Sequence, residues 1–283
     1  LRLGEWEGEG TGSLDPEGLV LGAGCNAVLE NLCLCLTEPG DGVLMPAPYY
    51  AAFEFDLVAR AGCAIIPVEP LASASASASA GDDVVDLDVL GAGSTIPIPA
   101  EAYYPTRSSL DAAYERAERE TGSPPRALLL SHPNNPLGVC YPSRVVRECV
   151  DWCREREVHL ISDEIYAGSV FRDDDDKDSG DDDDDDDGSG GFVSALKLAA
   201  GGHDVGGEGE GGVGLGIGPY VHLVYALSKD FALSGLRVGA CYSENDEIRL
   251  PMQKLNDLCQ ISSQTQTLAE RMLSSSSSSS SSS

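Results

Sequence analysis

The amino-acid sequence predicts an α/β domain, a three-layer sandwich in which helices cover both faces of a mostly parallel sheet. Short apolar runs, which are typical of buried strands, alternate along the chain with helical patterns whose apolar residues recur every three or four positions. The runs are apolar at consecutive positions, which indicates a sheet that is buried on both faces. The chain has 283 residues, of which 42% are hydrophobic, and this is enough to form a large core.

The first half of the chain follows the pattern strand, turn, helix. A glycine turn at 22–24 separates a short apolar run from a helical pattern that extends from Leu29 to Leu36. A Glu-Pro-Gly-Asp segment at 38–41 then ends this helix. The predicted strands of this half lie at 18–21, 43–45 and 63–68, and helical spacing resumes over 49–61.

The second half repeats the alternation. Ser108 and Asp111 form a predicted capping box, and Gly122 is the predicted end of the helix that follows it. An apolar stripe from Val145 to Cys153 predicts another helix. The predicted strands lie at 126–130, 158–161, 221–225 and 237–242. Parallel sheets of this kind bind ligands at the carboxyl ends of their strands, so those ends are where we look for chemistry.

Low-complexity stretches interrupt the domain, which we predict to span residues 13–273. They are a low-complexity insertion at 71–100, a disordered Asp/Gly-rich insertion at 173–218 and a serine tail at 274–283. Between 173 and 187 there are twelve Asp and one Lys. Solvated disorder is the simplest interpretation of this tract. A calcium site is the alternative, although the tract lacks the glycine turn and the closing Glu of an EF-hand loop.

Composition argues against several classes of partner. The chain has 47 Asp and Glu against 18 Lys and Arg, a net charge of −29, so we expect no nucleic acid partner. No apolar stretch reaches the roughly 20 residues of a membrane helix, and the amino terminus lacks the pattern of a signal peptide. Nine cysteines without zinc-site spacing are expected to be reduced thiols of a cytoplasmic protein, and we expect no metal site.

The residues that follow the predicted strands form a specific set. They comprise a glycine turn, an aromatic pair, an Asn-Pro turn, a carboxylate with a Tyr three positions later, and a lysine, at 22–26, 46–50, 131–138, 162–166 and 228–229. The glycine turn fits a dinucleotide fingerprint, but the acidic residue expected about 20 positions later is missing, so a nicotinamide or flavin cofactor is the weaker interpretation. The same turn can bind a single phosphate at the start of a helix.

A phosphate site, a flat aromatic ring and a lysine together favour pyridoxal 5'-phosphate. This cofactor requires an amine to form its Schiff base, a carboxylate at its protonated ring nitrogen and an aromatic face to stack on. Among the four lysines of the chain, Lys229 is the best candidate for the amine. Lys177 lies in the acidic tract, Lys197 in a Gly-rich insertion and Lys254 in a polar helix.

Seven segments resemble the fold-type-I pyridoxal-phosphate enzymes of aminotransferase class I/II, and their wording is nearest to the 1-aminocyclopropane-1-carboxylate synthase group. The segments are 22–30, 39–41, 48–50, 134–138, 163–166, 228–239 and 262–266. They occur in the order of the family and cover most of 13–70 and 124–273, apart from the acidic block. The resemblance implies the large, cofactor-binding domain of such an enzyme, with the small domain largely missing.

The resemblance implies catalytic roles for Lys229, Asp163 and Tyr166. Lys229 resembles the lysine that bonds the cofactor and later shuttles the Cα proton, and Asp163 resembles the partner of the ring nitrogen. Tyr166 and Asn135 resemble the two donors to the phenolate oxygen of the cofactor. A plain turn-forming role is the alternative for Asn135. Glu164, one position after Asp163, should point away from the site.

Further cofactor-binding residues are implied in the same way; they are Tyr50, Arg237, Cys25, Asn26 and Ser228. Tyr50 resembles the aromatic residue that stacks on the pyridine ring, although Tyr49 is adjacent and core packing is an alternative for either. Arg237 resembles the arginine that binds the phosphate, because its fork can hold two oxygens at once. Cys25 and Asn26 join it at the helix start.

The function implied by the resemblance is that of a pyridoxal-phosphate-dependent enzyme acting on an α-amino acid, with amino-group transfer as the expected reaction and amino and keto acids as substrates. The alternatives are a cyclopropane-forming lyase and a non-catalytic homologue. Ala226 stands where the family has a phosphate-binding serine, and Asn26 where it has a small hydroxyl residue, so we expect reduced cofactor affinity. The family's amino-terminal segment and its substrate-binding small-domain arginine have no counterpart. A homodimer is expected.

Overall fold

Seven strands form one sheet within the residues that the computed structural model describes, 14–70, 100–170, 191–200 and 216–277. They are β1 (Leu19–Gly22), β2 (Gly42–Pro46), β3 (Ala64–Val68), β4 (Ala127–Ser131), β5 (His159–Asp163), β6 (Val221–Ala226) and β7 (Gly239–Ser243). Their order across the sheet is β1-β7-β6-β5-β4-β2-β3. Every pairing is parallel except those of β7, which is antiparallel to both of its neighbours. The mostly parallel sheet is therefore confirmed.

Six α-helices accompany this sheet in the described ranges. They are α1 (Cys25–Leu36), α2 (Arg107–Thr121), α3 (Ser143–Arg156), α4 (Ala195–Ala200), α5 (Asp246–Asn256) and α6 (Ser263–Ser277). Single turns of tighter or wider helix occur at Pro16–Gly18, Glu54–Val58, Ala100–Tyr103 and Ser234–Leu236. Each strand lies within two residues of the bounds that the sequence predicted.

The three layers arise because successive side chains of a strand point to opposite faces of the sheet. In β4, Leu128 and Leu130 join a core cluster with residues of α2, α3 and α4. Ala127 and Leu129 join a second cluster with residues of α1 and α5 on the other face. All five residues of β4 are buried. An unbroken apolar run is therefore the mark of a strand covered on both faces, as predicted.

The start of α2 differs from the prediction. Thr106, and not Ser108, is the N-cap residue: its backbone N–H donates to the Ser109 hydroxyl at 2.9 Å, and the Ser109 N–H donates to the Thr106 hydroxyl at 3.3 Å. The predicted capping box at Ser108 and Asp111 is wrong, because Asp111 instead accepts a hydrogen bond from the Trp152 indole at 2.9 Å. The end of α2 is confirmed, with Gly122 in the left-handed conformation.

Three predicted segments need correction. The helical spacing over 49–61 produces only the wide turn Glu54–Val58, in which Leu57 is buried. The predicted insertion at 173–218 contains α4, whose residues Ala195 and Leu196 are buried in the core, because a short apolar run is hidden there in glycine-rich surroundings. Helix α6 extends to Ser277, inside the predicted serine tail. The other parts of these low-complexity stretches lie outside the described residues, at 71–99, 171–190, 201–215 and 278–283.

Membrane, metal and disulfide features can be checked only in the described ranges. No helix there is long and apolar enough to cross a bilayer. No group of three or more His, Cys, Asp or Glu side chains in those ranges is arranged to hold a metal ion. All nine cysteines fall within the described residues, and each carries a free thiol. The acidic tract at 173–187, where a calcium site was the alternative, lies outside these ranges.

Candidate active site

The candidate site lies where the carboxyl ends of β4, β5 and β6 approach the amino-terminal end of α1. A pocket of about 150 Å³ lies at this edge, which is where parallel sheets bind ligands. The structure brings all nine residues selected from the sequence into its lining, namely Cys25, Asn26, Tyr50, Asn135, Asp163, Tyr166, Ser228, Lys229 and Arg237. Residues that are far apart in the sequence therefore share one cavity, and their individual roles stay predictions.

Asp163 ends β5 and has only 4% of its surface exposed. Its Oδ1 accepts a hydrogen bond from the Ile165 N–H at 3.2 Å, and the Cys25 thiol lies 3.9 Å from each carboxylate oxygen. Burial raises the pKa of Asp163 to about 7, and the nearby Asp56 carboxylate acts in the same direction. Since a thiol is a weak donor, no strong donor from the part of the chain that the structure describes reaches the Oδ2 of this buried carboxylate.

Glu164 points to the opposite side of the sheet, as predicted. Its Oε1 accepts hydrogen bonds from the Ser162 hydroxyl at 3.0 Å and from the Ala195 N–H at 2.8 Å. Burial raises its pKa to about 7. The alternation at the end of β5 therefore directs Asp163 into the pocket and Glu164 toward α4.

Lys229 and Tyr166 are neighbours in the pocket. The Lys229 Nζ lies 5.7 Å from the centre of the Tyr166 ring. Lys197 and Lys254 are exposed on α4 and α5 and do not line the pocket. Among the lysines in the described ranges, Lys229 alone lines it, which agrees with its selection from the sequence.

The start of α1 and Arg237 together form a site suited to an anion. Gly24 precedes α1 with φ of 92°, and no side chain caps the first turn of the helix. The Arg237 guanidinium packs so closely that a Cβ atom at Gly24 would overlap it. A Cβ atom at Gly239 would lie 2.5 Å from the Gly24 carbonyl carbon, so both glycines are required for this approach. Free helix N–H groups and a guanidinium both favour a phosphate.

Asp56 is a pocket residue that sequence analysis did not select. It lies in the turn Glu54–Val58, and its Oδ1 accepts a hydrogen bond from the Asn26 Nδ2 at 2.7 Å. The Asn26 Oδ1 accepts a longer one from the Arg237 Nη2 at 3.5 Å. Burial raises the pKa of Asp56, while the bond from Asn26 lowers it. In the sequence, Asp56 is merely a polar residue at helical spacing, a pattern shared by solvent-facing positions.

Tyr50, rather than Tyr49, lines the pocket. Tyr50 is 44% exposed and packs edge-on against Phe53, with ring centres 5.6 Å apart. Tyr49 donates a hydrogen bond to Glu54 at 3.0 Å and packs against the core instead. The alternative of core packing, left open by the sequence, therefore applies to Tyr49, while Tyr50 presents its ring to the cavity.

The turn that carries Asn135 is fixed by its neighbour. Asn134 is buried; its Nδ2 donates to the Tyr141 hydroxyl at 2.9 Å, and its Oδ1 accepts from the Leu137 N–H at 3.1 Å. Asn134 thus makes the side-chain bonds that form the turn. The turn-forming alternative suits Asn134, and Asn135 lines the pocket.

Three serines lie around the pocket, and one expected hydroxyl is absent. Ser228 lines it as predicted, and Ser131 and Ser234 line it without having been selected. Ser131 ends β4, so its position at a strand end was a signal that the sequence offered. Ala226 ends β6 with 1% exposure and brings no hydroxyl group.

Comparison with known proteins identifies a family and several relatives that match most of this chain. The family model described as aminotransferase class I and II matches residues 3–87 and 91–282. The 1-aminocyclopropane-1-carboxylate synthase 1 of Oryza sativa subsp. indica is 34% identical over 259 residues, which are 92% of this chain and 43% of that protein. The synthase 7 of Arabidopsis thaliana is 31% identical over 265 residues, 94% of this chain and 47% of that protein. The chain spans less than half the length of these curated relatives.

Solved structures share the fold. An aspartate aminotransferase mutant of Thermus thermophilus superposes with a TM-score of 0.58 at 21% identity, covering 89% of this chain and 49% of that one. The aspartate aminotransferase of Thermotoga maritima gives 0.61 at 19% identity, covering 92% and 52%. At this level of identity the likeness shows the fold alone. Because the matches cover about half of those chains, the described fold corresponds to a part of them.

Proposed function

The chain belongs to the aminotransferase class I and II family, and we propose that it binds pyridoxal 5'-phosphate and acts on an α-amino acid, with amino-group transfer as the reaction. The observation that carries this proposal is that Lys229, Asp163 and Arg237, from three separate elements, line one pocket. An amine, a buried carboxylate and a guanidinium beside a helix start are the groups that this cofactor needs at its aldehyde, ring nitrogen and phosphate.

The residues present fit the cofactor. Asp163 is a buried carboxylate whose hydrogen-bond donors are one backbone N–H and a thiol, and a protonated ring nitrogen is the strong donor that it lacks. At the other end of the pocket, Gly24 and Gly239 leave room for the helix start and Arg237 to come together. When bound, pyridoxal phosphate acts as the electron sink for the pair of electrons left at the substrate Cα.

Asp163 holds the ring nitrogen in its protonated form. In the absence of a cation, burial raises the pKa of this carboxyl to about 7. A positive charge within hydrogen-bond reach favours the ionised carboxylate and lowers that pKa. Asp163 would therefore be ionised beside a bound cationic ring, and this charge pair would keep the proton on the ring nitrogen.

Lys229 serves first as the amine that bonds the cofactor and then as the base that takes the proton from the substrate Cα. Tyr166 and Asn135 would donate hydrogen bonds to the phenolate oxygen. The 5.7 Å between the Lys229 Nζ and the Tyr166 ring centre supports this division, since the amine and the phenol serve adjacent positions of one small ring.

The phosphate would be held by the N–H groups at the start of α1, at Cys25 and Asn26, and by Arg237. One N–H of the Asn26 amide donates to Asp56 at 2.7 Å, which leaves only the other N–H for a phosphate. Ala226 supplies no donor. We therefore propose a phosphate site with fewer side-chain donors than the family pattern, and a correspondingly weaker affinity for the cofactor.

Cyclopropane formation is the second candidate reaction. The observation that favours it is that curated relatives at 31–34% identity are named 1-aminocyclopropane-1-carboxylate synthases. Both reactions begin with removal of the Cα proton. They differ afterwards, because amino-group transfer leaves a keto acid, whereas attack of Cα on the substrate's own Cγ expels a leaving group and closes the ring. Product analysis with an amino acid that carries a leaving group at Cγ distinguishes them.

A non-catalytic homologue that keeps the cofactor as a structural ligand is the alternative from another class. Ala226 favours it, and the presence of Lys229, Asp163 and Arg237 in one pocket opposes it. The activity proposed here is that of the whole protein, since the chain spans less than half the length of its curated relatives. Turnover of an amino acid by the whole protein would exclude the homologue.

The test is to add pyridoxal phosphate to the purified chain, record the visible absorption of the bound form, reduce it with borohydride and map the modified lysine by mass spectrometry. We expect the label on Lys229 and its loss in Lys229→Ala. Lys197→Ala removes an exposed lysine outside the pocket and is the matched control, which should keep the label. No specific adduct in a folded chain would overturn the proposal.

Two further features belong to the proposal. A homodimer is implied by the family resemblance, and sedimentation of the purified chain tests it directly. A cytoplasmic location is supported by the nine free thiols, because disulfides are rare in a reducing compartment. Localisation of the tagged whole protein in its native cells tests the second feature.

A further inference from the structure

Asp230, the residue after Lys229, binds the segment that carries Tyr166. Its Oδ2 accepts hydrogen bonds from the Gly168 N–H at 2.7 Å and the Tyr225 hydroxyl at 2.8 Å. Its Oδ1 accepts one from the Ser169 hydroxyl at 2.6 Å. Three donors therefore converge on one half-buried carboxylate, and two of them come from a different segment of the chain.

The Tyr166 segment is a tight turn whose end is fixed by this carboxylate. The Ala167 N–H donates to the Glu164 carbonyl, and the Ser169 N–H donates to the Tyr166 carbonyl, both at 2.9 Å. These two backbone hydrogen bonds hold the segment from the end of β5, through Tyr166, to the two residues that bond Asp230. A displacement of its end would be transmitted to Tyr166.

Gly168 makes the close approach possible. A Cβ atom on Gly168 would lie 2.9 Å from the Asp230 Oδ2 and 3.0 Å from its Cγ. Contacts this short require either the turn or the Asp230 side chain to shift, and either shift would disturb the hydrogen bond between them. Glycine at 168 and a carboxylate at 230 are therefore complementary features of one junction.

Tyr225 holds the other side of the carboxylate. It lies in β6 with 7% of its surface exposed, and its hydroxyl is the donor at 2.8 Å. Burial, followed by the hydrogen bond to Asp230, raises its pKa well above the ordinary value for tyrosine, so this phenol remains a donor throughout the physiological range. Asp230 is thereby tied to β6 and to the Tyr166 turn at the same time.

We infer that Asp230 is a positioning residue, which sets the distance between Lys229 and Tyr166 by bonding the Tyr166 turn to the end of β6. This inference rests on the proposed function, because the spacing matters only if the amine and the phenol serve one cofactor. No assignment from the sequence gave Asp230 a role. The carboxylate acts through Tyr166 and Lys229 and does not line the pocket itself.

Two substitutions separate the geometry of the junction from its charge. Asp230→Ala removes all three acceptor bonds. Asp230→Asn can keep them, because its oxygen can accept from Gly168 and Tyr225 while its amide donates to the Ser169 hydroxyl, which is able to accept. Asp246→Ala is the matched control; it removes an exposed carboxylate that pairs with Arg249 at 2.5 Å and does not line the pocket.

The first readout is amide hydrogen exchange of the full chain without cofactor. Because the Gly168 N–H bonds to Asp230, we expect exchange in the peptide covering 165–170 to rise about tenfold in Asp230→Ala, the loss of one hydrogen bond. Protection in Asp230→Asn and Asp246→Ala should stay within twofold of the wild-type value. Unchanged exchange in Asp230→Ala overturns the inference, whatever happens with the cofactor.

The second readout is the pH midpoint of the visible absorption of the bound cofactor. A displaced Tyr166 no longer donates to the phenolate oxygen, so we expect the midpoint to rise by about one pH unit in Asp230→Ala, with rescue in Asp230→Asn. An unchanged midpoint overturns the positioning role. If the wild-type chain itself forms no adduct, the proposed function fails, and amide exchange alone then decides whether Asp230 fixes the turn.

Discussion

The buried polar residues at the two ends of strand β5 differ in how completely they are hydrogen-bonded. At its first residue, the His159 Nδ1 lies 2.9 Å from the His222 Nε2, and the His222 Nδ1 lies 2.9 Å from the Ser243 hydroxyl. At its last residue, Asp163 is equally buried but has one backbone donor and one weak thiol donor. The histidine end forms a chain of hydrogen-bonded side chains, whereas Asp163 has no strong donor among the described residues.

This difference separates structure from function within one strand. Buried polar groups that are fully hydrogen-bonded can be stabilising, and a partly satisfied one costs stability unless something else compensates for it. The histidine end meets the first description, so we interpret it as part of the scaffold. The aspartate end meets the second, and the compensation we propose is a cationic ring bound from outside.

The same two ends should titrate in opposite senses. Burial lowers the pKa of His159 to about 4 and that of His222 to about 3, whereas it raises the pKa of Asp163 to about 7. Between roughly pH 6.5 and 4 the unfolded state binds more protons at the histidines, so their contribution to stability is lost as the pH falls. For Asp163 the folded state binds more protons, so its contribution is lost as the pH rises from about 4 to 7.

The largest effect is therefore expected for Asp163→Asn in the cofactor-free chain. At acid pH both side chains are neutral. At higher pH the carboxyl of the unfolded wild-type chain ionises freely, whereas burial opposes its ionisation in the folded chain. The Asn side chain of the variant does not titrate, so it has no such cost. The variant should gain stability over the wild type, from near zero at about pH 4 to on the order of 4 kcal/mol above about pH 7.

Urea unfolding at several pH values measures this difference. Glu247→Gln, which neutralises an exposed carboxylate in the first turn of α5, is the control and should show no comparable rise with pH. A stability gain that did not change with pH would mean that Asp163 is already paired in the free chain. The same variant should fail to keep the ring nitrogen of the bound cofactor protonated. That loss would show that the carboxylate which costs stability in the free chain serves the cofactor site.

A substitution at the histidine end should have the converse profile. His222→Ala removes the central member of the network and leaves His159 and the Ser243 hydroxyl without it. We expect a loss of about 3 kcal/mol in the free energy of unfolding, from unsatisfied buried groups and a cavity. Cofactor labelling of Lys229 should be unchanged at a temperature where the variant is folded.

Urea unfolding near neutral pH and the borohydride assay together check this prediction. Ser243→Ala removes the hydroxyl at the end of the network, which also accepts from the Asn245 N–H at 3.1 Å, and should cost less than His222→Ala. If His222→Ala abolished labelling in a folded chain, the two ends of β5 would be coupled, and the division into scaffold and site would be wrong.

Much of this comparison could be predicted from the sequence. Strands buried on both faces appear as unbroken apolar runs, and parallel strands place their terminal polar residues at one edge, so the sequence alone places Asp163 and Lys229 at that edge. The glycine turn and Arg237 followed from the needs of an anion and from the family resemblance. Each of these features is visible either in a short stretch of sequence or as a motif shared by the family.

Other features depend on contacts that no local pattern encodes. Asp56 was missed because helical spacing over 49–61 gives no sign of the wide turn Glu54–Val58 that brings it to Asn26. Helix α4 was missed because six residues, five of them apolar, are too few to outweigh their glycine-rich surroundings. Asp230 was missed because its three donors come from two other segments.

The smallest effect concerns the phosphate end of the pocket, where Asp56 adds a negative charge beside the anion site. Its partner Asn26 also contacts Arg237, so the carboxylate lies one side chain away from the guanidinium. Asp56→Asn removes the charge and can retain a hydrogen bond to Asn26. Because a half-buried charge acts through partly aqueous surroundings, we expect pyridoxal phosphate to bind only about twofold to fivefold more tightly.

Pyridoxal without its phosphate is the control ligand for this variant, because it probes the ring end alone. Its affinity should be the same in Asp56→Asn and the wild type, so that the ratio of the two affinities isolates the phosphate. Equal tightening of both ligands would place the influence of Asp56 at the ring, through the carboxylate of Asp163, whose pKa it raises. Weaker binding of the phosphate ester would instead show that Asp56 orients Asn26 as a donor, and that this orientation outweighs charge repulsion.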